Sequence, residues 1–189
     1  MLTAAREACD ATGALLIFDE VQTGMGRTGS LWAFEQLPVK PDVMTAAKAL
    51  GGGLPVGAVV TTPELADTFE PGDHGSTFAG GPVGASAALA ALDIIDDEAL
   101  LANVRELGTQ LMEGLEAIDG TAEVRGRGLM IGMTLAAGLD APEVRDRCLE
   151  AGLVINCPDP GMLRLLPPLI LSSAEAEQGL SVLGAAISA

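Results

Sequence analysis

The sequence predicts an α/β chain in which part of a larger mixed-sheet domain is followed by a small α+β lobe. Three observations carry this. Apolar strand-like runs alternate with helical segments as far as Phe69, two long helical patterns fill 82–118, and short strands return after Gly120. At 189 residues the chain has room for a full core.

Residues 3–12 read as a helix that turns at Gly13, and the apolar run Ala14-Leu15-Leu16-Ile17-Phe18 before Asp19 reads as a buried strand. Further strands are expected at 42–45 and 56–61, and Pro63 opens a short helix reaching Phe69. The alanine-rich segment 82–96 and the amphipathic segment 98–118 read as long helices joining two lobes. Beyond Gly120, strands are expected at 122–125, 129–135, 153–157 and 163–166, with helices over 142–151 and from Ala174 onward. The boundary is placed at residue 118, giving a large-domain portion 1–118 and a small domain 119–189.

A net charge of −16, with 10 basic against 26 acidic residues, excludes a nucleic-acid binder. The apolar stretches are too short and too interrupted for a membrane span, and Met1 to Glu7 lacks the order of a secretory signal, so a cytoplasmic protein is expected. Cys9, Cys148 and Cys157 show no CxxC spacing and no neighbouring histidine, and read as reduced packing residues without a metal.

Lys48 is one of two lysines and lies in Ala46-Ala47-Lys48-Ala49-Leu50, ahead of Gly51-Gly52-Gly53. Its short neighbours predict close packing, which desolvates the ammonium and favours the neutral amine, a nucleophile suited to Schiff-base chemistry. Asp19 ends the first strand. Alone it reads as an acid capping a turn. Paired with Lys48 it fits a pyridoxal phosphate site, Lys48 bonding the cofactor and shuttling a proton while Asp19 keeps the pyridine nitrogen protonated.

Gly24-Met25-Gly26-Arg27-Thr28-Gly29 also matches GxGxxG, the mark of a dinucleotide-dependent oxidoreductase. The glycines are misplaced for that role: Glu20 to Thr23 separates them from the strand end, and they lead to Ser30 and Trp32 instead of opening a helix. A glycine-rich active-site loop is the better reading. Arg164, inside the apolar run Leu163 to Leu166, needs an anion, either a structural acid or a bound carboxylate.

The blocks Leu16-Ile17-Phe18-Asp19-Glu20-Val21-Gln22-Thr23-Gly24-Met25-Gly26-Arg27-Thr28-Gly29 and Pro41-Asp42-Val43-Met44-Thr45-Ala46-Ala47-Lys48-Ala49-Leu50-Gly51-Gly52-Gly53 together resemble the class III aminotransferases. The resemblance implies a fold type I pyridoxal-phosphate-dependent transferase, with Gln22 on the cofactor's phenolic oxygen. Ser76 and Thr77 would hold the phosphate of a neighbouring subunit, so a homodimer with a shared site is implied. Arg164 would grip the substrate α-carboxylate, a task suited to its planar fork. His74 is read as structural, and Arg125 and Arg127 as holding the small lobe to the large one. Within the class the blocks are most similar to the acetylornithine branch, which implies amino transfer between acetylornithine and 2-oxoglutarate in arginine biosynthesis. The ornithine, succinylornithine and aminobutyrate branches are the alternatives.

Two positions depart from the family pattern. Ala46 stands where leucine is usual, and Ala79-Gly80-Gly81-Pro82 replaces Gly-Gly-Asn-Pro. Family members are about twice this long. Their upstream part carries a glycine and hydroxyl loop for the phosphate and an aromatic that stacks on the ring. An inert fragment or partner subunit is therefore the other reading, since Phe18, Trp32, Phe34, Phe69 and Phe78 are expected mostly in the core.

Overall fold

The computed structural model describes every residue except His74, Phe78 and Ala79. The expectations attached to those three, including the structural role of His74 and part of the departure at Ala79, lie outside the described residues. The chain forms two compact units, one of residues 1–26 with 30–97, the other of residues 27–29 with 98–189.

In the first unit, helix α1 (Leu2–Thr12) stops at Gly13, whose left-handed φ of 71° lets its N–H reach back to the Cys9 carbonyl. Strands β1 (Ile17–Asp19), β2 (Val43–Ala46) and β3 (Ala58–Thr61) form a mixed sheet in the order β1-β2-β3. β1 pairs parallel with β2, Ile17 opposite Val43 and Asp19 opposite Thr45, while β3 pairs antiparallel. Asp42 fixes this register. Its carboxylate accepts the Leu16 N–H at 2.7 Å and the Arg6 guanidinium at 2.8 Å, and its own N–H donates to the Leu16 carbonyl at 2.9 Å. Short 3-10 turns occupy Ala33–Gln36, Lys48–Gly51 and Pro63–Thr68, and Pro82 opens helix α2 (Pro82–Ile95) at its first turn.

The core of this unit is small: Met25, Ala46 and Leu50 are buried, with Trp32, Val56, Ala58, Ala88, Ala91, Leu92 and Ile95 packed against them. The expectation of a buried strand over 14–19 is corrected. β1 starts only at Ile17, and Leu15 and Ile17 are 50% and 58% exposed, because no layer of the described residues covers that part of the sheet. Val59, Val60, Val83, Leu89 and Ile94 are likewise exposed. Of the described aromatics expected in the core, only Trp32 packs against it: Phe69 is 66% exposed, and Phe18 and Phe34 are half-buried.

The second unit comprises α3 (Glu98–Glu116), β4 (Thr121–Arg127), β5 (Met130–Leu135), α4 (Ala141–Glu150), β6 (Asn156–Asp159), β7 (Met162–Leu165) and α5 (Ser173–Ser188). Its four strands form an antiparallel sheet in the order β4-β5-β7-β6. Period-two burial along β5 sends Ile131, Met133 and Leu135 inward, where they join Val104, Leu107, Leu111 and Leu115 of α3 and Leu183 of α5 in one continuous core. Asp140 caps α4 through the Glu143 N–H, and Ser172 and Glu175 form a reciprocal capping box at the start of α5. Packing groups α3 with this unit, whereas the sequence reading, with its boundary at 118, groups it with the first.

The Asp42 clasp yields a pH prediction. The Leu16 N–H, and after it Arg6, holds the Asp42 carboxyl below its usual range. Its contribution is therefore complete above the unfolded value of about 3.9 and is lost as pH falls through the lower folded value. Asp42→Ala should melt at a lower temperature than the parent at neutral pH, and the gap should close in strong acid. A gap of constant size down the whole acid range would contradict this.

Candidate active site

Parallel pairing sends β1 and β2 to the same sheet edge, and Asp19 and Lys48 both lie there. Asp19 is the last residue of β1, level with Thr45, and Lys48 follows the end of β2 by two residues. One Asp19 oxygen, Oδ1, accepts the Val21 N–H at 3.0 Å and the Thr45 hydroxyl at 3.3 Å, which fixes the carboxylate plane. Oδ2 has no hydrogen-bond partner among the described residues and is free to accept from a ligand.

Lys48 adopts a left-handed φ of 50°, although it is not glycine. That conformation costs about 1 kcal/mol or more and persists where surrounding structure imposes it, as functional sites often do. The expected enclosure of Lys48 is corrected: it is exposed at the start of a 3-10 turn whose buried positions are Leu50 and Gly51. Its ammonium has no ion pair or hydrogen bond among the described residues. A pinned carboxylate with a spare oxygen and an unpaired amine at one strand edge match what pyridoxal phosphate needs from a protein, a partner for its ring nitrogen and an amine for its aldehyde.

The loop after β1 is held by a residue that sequence reasoning missed. Glu20 is 3% exposed, and its carboxylate accepts the Thr23 hydroxyl at 2.5 Å, the Phe34 N–H at 2.8 Å and the Ala33 N–H at 3.1 Å. It thereby closes the loop that carries Gln22, which is half-buried. No periodic signal announces this role, since the donors come from a turn some distance along the chain. Gly24 packs under Trp32, where a Cβ would lie 2.6 Å from the ring, so the glycine serves loop packing. The glycine run leads into the 3-10 turn Ala33–Gln36 and opens no α-helix, which disfavours a dinucleotide site.

Ser76 and Thr77 are exposed in an irregular segment of the first unit. In the second unit, Arg164 sits on β7 between Gly132 of β5 and Asn156 of β6. Its Nε is buried without a hydrogen-bond partner, and no carboxylate pairs with it among the described residues. The structural-acid reading therefore lacks support. Arg164 and Asn156 line a cavity of about 420 Å³ whose walls include Leu153, Ile155, Leu165 and Leu183. Arg125 instead pairs with Glu123 at 3.3 Å.

Residues 1–187 match the family described as aminotransferase class-III. The chain is 46% identical over 188 residues to acetylornithine aminotransferase 1 of Bordetella bronchiseptica, a match spanning 96% of this chain and 47% of that protein. It is also 46% identical to acetylornithine aminotransferase of Corynebacterium efficiens, over 98% of this chain and 46% of that one. Among solved structures, N-acetylornithine aminotransferase from Stenotrophomonas maltophilia superposes with a TM-score of 0.88 at 38% identity, over 99% of this chain and 50% of that chain. An ornithine aminotransferase from Plasmodium yoelii gives 0.91 at 30% identity, over 99% of this chain and 51% of that one. The chain thus spans about half the length of the relatives it matches, and its fold is that of the fold type I enzymes.

Removing the Glu20 carboxylate takes the acceptor from two part-buried N–H groups. Glu20→Ala should lose about 3 kcal/mol of unfolding free energy in urea, and Glu20→Gln less, since an amide oxygen still accepts. Equal midpoints for Glu20→Ala and the parent would show that the loop is held by other means.

Proposed function

This chain belongs to the class-III aminotransferases, and from that premise we propose that it supplies the Lys48- and Arg164-bearing part of an acetylornithine aminotransferase. Such an enzyme moves the amino group of N2-acetylornithine to 2-oxoglutarate, a step of arginine biosynthesis. The observation that carries the reading is the pairing of a strained, unpartnered Lys48 with a pinned Asp19 at one edge of a parallel strand pair. The names of the relatives support the donor: among the solved structures compared above, identity is 38% to the acetylornithine enzyme and 30% to the ornithine enzyme.

Pyridoxal phosphate, when bound, supplies an aldehyde for amine exchange and a ring that takes up electron density. Lys48 would hold the cofactor through its amine and, when that amine is free, would carry a proton to and from the substrate α-carbon. Asp19 Oδ2 would keep the ring nitrogen protonated, and the Gln22 amide would face the phenolic oxygen. Ser76 and Thr77 would hold the phosphate of a neighbouring subunit, which would make a homodimer part of the site. Arg164 binds the substrate carboxylate, consistent with its orphan buried Nε. A cytoplasmic setting fits three free thiols.

A second reading rests on the exposed apolar surface of the first unit, on the sheet at Ile17, Val59 and Val60 and on α2 at Val83, Leu89 and Ile94. Such surface suits a chain that holds cofactor only when complemented by further polypeptide.

Lys40 makes an internal control, since the chain has just two lysines and both are exposed. After addition of pyridoxal phosphate and reduction with borohydride, peptide mapping should place the adduct on Lys48 and leave Lys40 unmodified. Equal labelling of both lysines would refute a specific site. No labelling would refute cofactor capture by this chain alone.

A further inference from the structure

Residues 27–29 belong to the second unit although the rest of their loop belongs to the first. Three sets of contacts hold them. The Arg27 carbonyl accepts the Leu129 N–H at 3.0 Å, the Arg27 guanidinium donates to the carbonyls of Leu129 at 3.2 Å and Pro167 at 2.5 Å, and the Gly29 carbonyl accepts from Arg105 of α3 at 2.7 Å. The fit is close. Gly128, at φ 53°, lies so near this strap that a Cβ would come within 2.7 Å of the Thr28 backbone.

The ladder between β5 and β7 explains why an arginine is needed. Ile131 pairs with Leu165 and Gly132 with Arg164, so continuing the register by two residues sets Leu129 opposite Pro167. Proline has no N–H with which to extend the ladder. The Arg27 guanidinium stands in for it, donating to both carbonyls and tying together the two strand ends. Burial pushes this guanidinium down from its ordinary pKa, and no acid pairs with it among the described residues. Retaining a half-buried cation with carbonyl partners is costly, and a single guanidinium nitrogen, Nη1, donates to both carbonyls.

We propose that Arg27 is a positioning residue for Arg164: by joining Leu129 to Pro167 it fixes the chain just past β7, three residues beyond Arg164, and so aims that guanidinium at a carboxylate. The functional half of this inference rests on the assignment of Arg164 as the carboxylate-binding group. Arg27 itself touches no substrate. Its role is to stop the β7 end from fraying, which would leave Arg164 several rotamers where binding needs one.

The test compares the chain with Arg27→Met and Arg27→Lys, using two readouts. Amide hydrogen exchange in 129–135 and 162–168 should rise by about tenfold or more in Arg27→Met while α5 stays protected, as expected when a charged hydrogen bond at one strand end is lost. Glutarate, a plain dicarboxylate probe, should shield Arg164 from phenylglyoxal in the parent but not in Arg27→Met, and in part in Arg27→Lys, whose ammonium can still donate to the two carbonyls. Even acceleration of exchange across the whole unit would overturn the proposal, because Arg27 would then be a general stabiliser. So would undiminished shielding in Arg27→Met. Lack of shielding in the parent would instead sink the carboxylate assignment of Arg164, and the exchange pattern would still decide whether Arg27 fixes the strand end.

Discussion

Leu16 and Asp42 are joined by a carboxylate bond to the Leu16 N–H at 2.7 Å and by donation from the Asp42 and Val43 N–H groups to the Leu16 carbonyl at 2.9 and 3.3 Å. This clasp sets where β1 begins relative to β2, and everything at the opposite edge follows from it. With Ile17 held opposite Val43, Asp19 must fall opposite Thr45, whose hydroxyl then orients the carboxylate, and Lys48 must emerge just past the same edge. A slip of one residue would turn every β1 side chain to the other face and remove the Thr45 contact. A parallel pair is what chemistry at this site requires, since antiparallel strands would send Asp19 and Lys48 to opposite ends.

The two units reach stability differently. The second has a continuous core running from α3 through β5 to α5, with Val104, Leu115, Ile131, Met133 and Leu183 fully buried. The first buries only Met25, Ala46 and Leu50 as its centre, and depends on polar clasps instead: Asp42 at the strand starts and Glu20 inside the loop. Ala46 is 3% exposed, so a small side chain sits at the middle of an already thin core. Polar clasps are directional. They suit a region that must set atoms at defined positions more than one that must only exclude water.

The residues proposed for the site were read from local blocks, because Asp19, Gln22 and Lys48 lie in runs that resemble those of the family. The α/β order was equally legible, as were most helices, from 3.6-residue periodicity and from stops such as Gly13 and Pro82. Roles created by distant contacts were not. Asp42 acts on a residue 26 positions away, and Arg27 on one 140 positions away, and nothing local to either reveals its partner. Burial was misjudged for a related reason. Small neighbours around Lys48 and apolar ones before Asp19 signal capacity for packing, but exposure depends on whether another layer arrives, and over β1 none of the described residues supplies one.

The central claim is that one cofactor ring spans the Asp19 carboxylate and the Lys48 amine. Pyridoxal phosphate isotopically labelled at its pyridine nitrogen tests it most directly, by nuclear magnetic resonance of the chain and of Asp19→Asn, each after borohydride fixation to Lys48. The account predicts a protonated ring nitrogen in the parent at neutral pH and an unprotonated one in Asp19→Asn. The same protonation state in both proteins would contradict it.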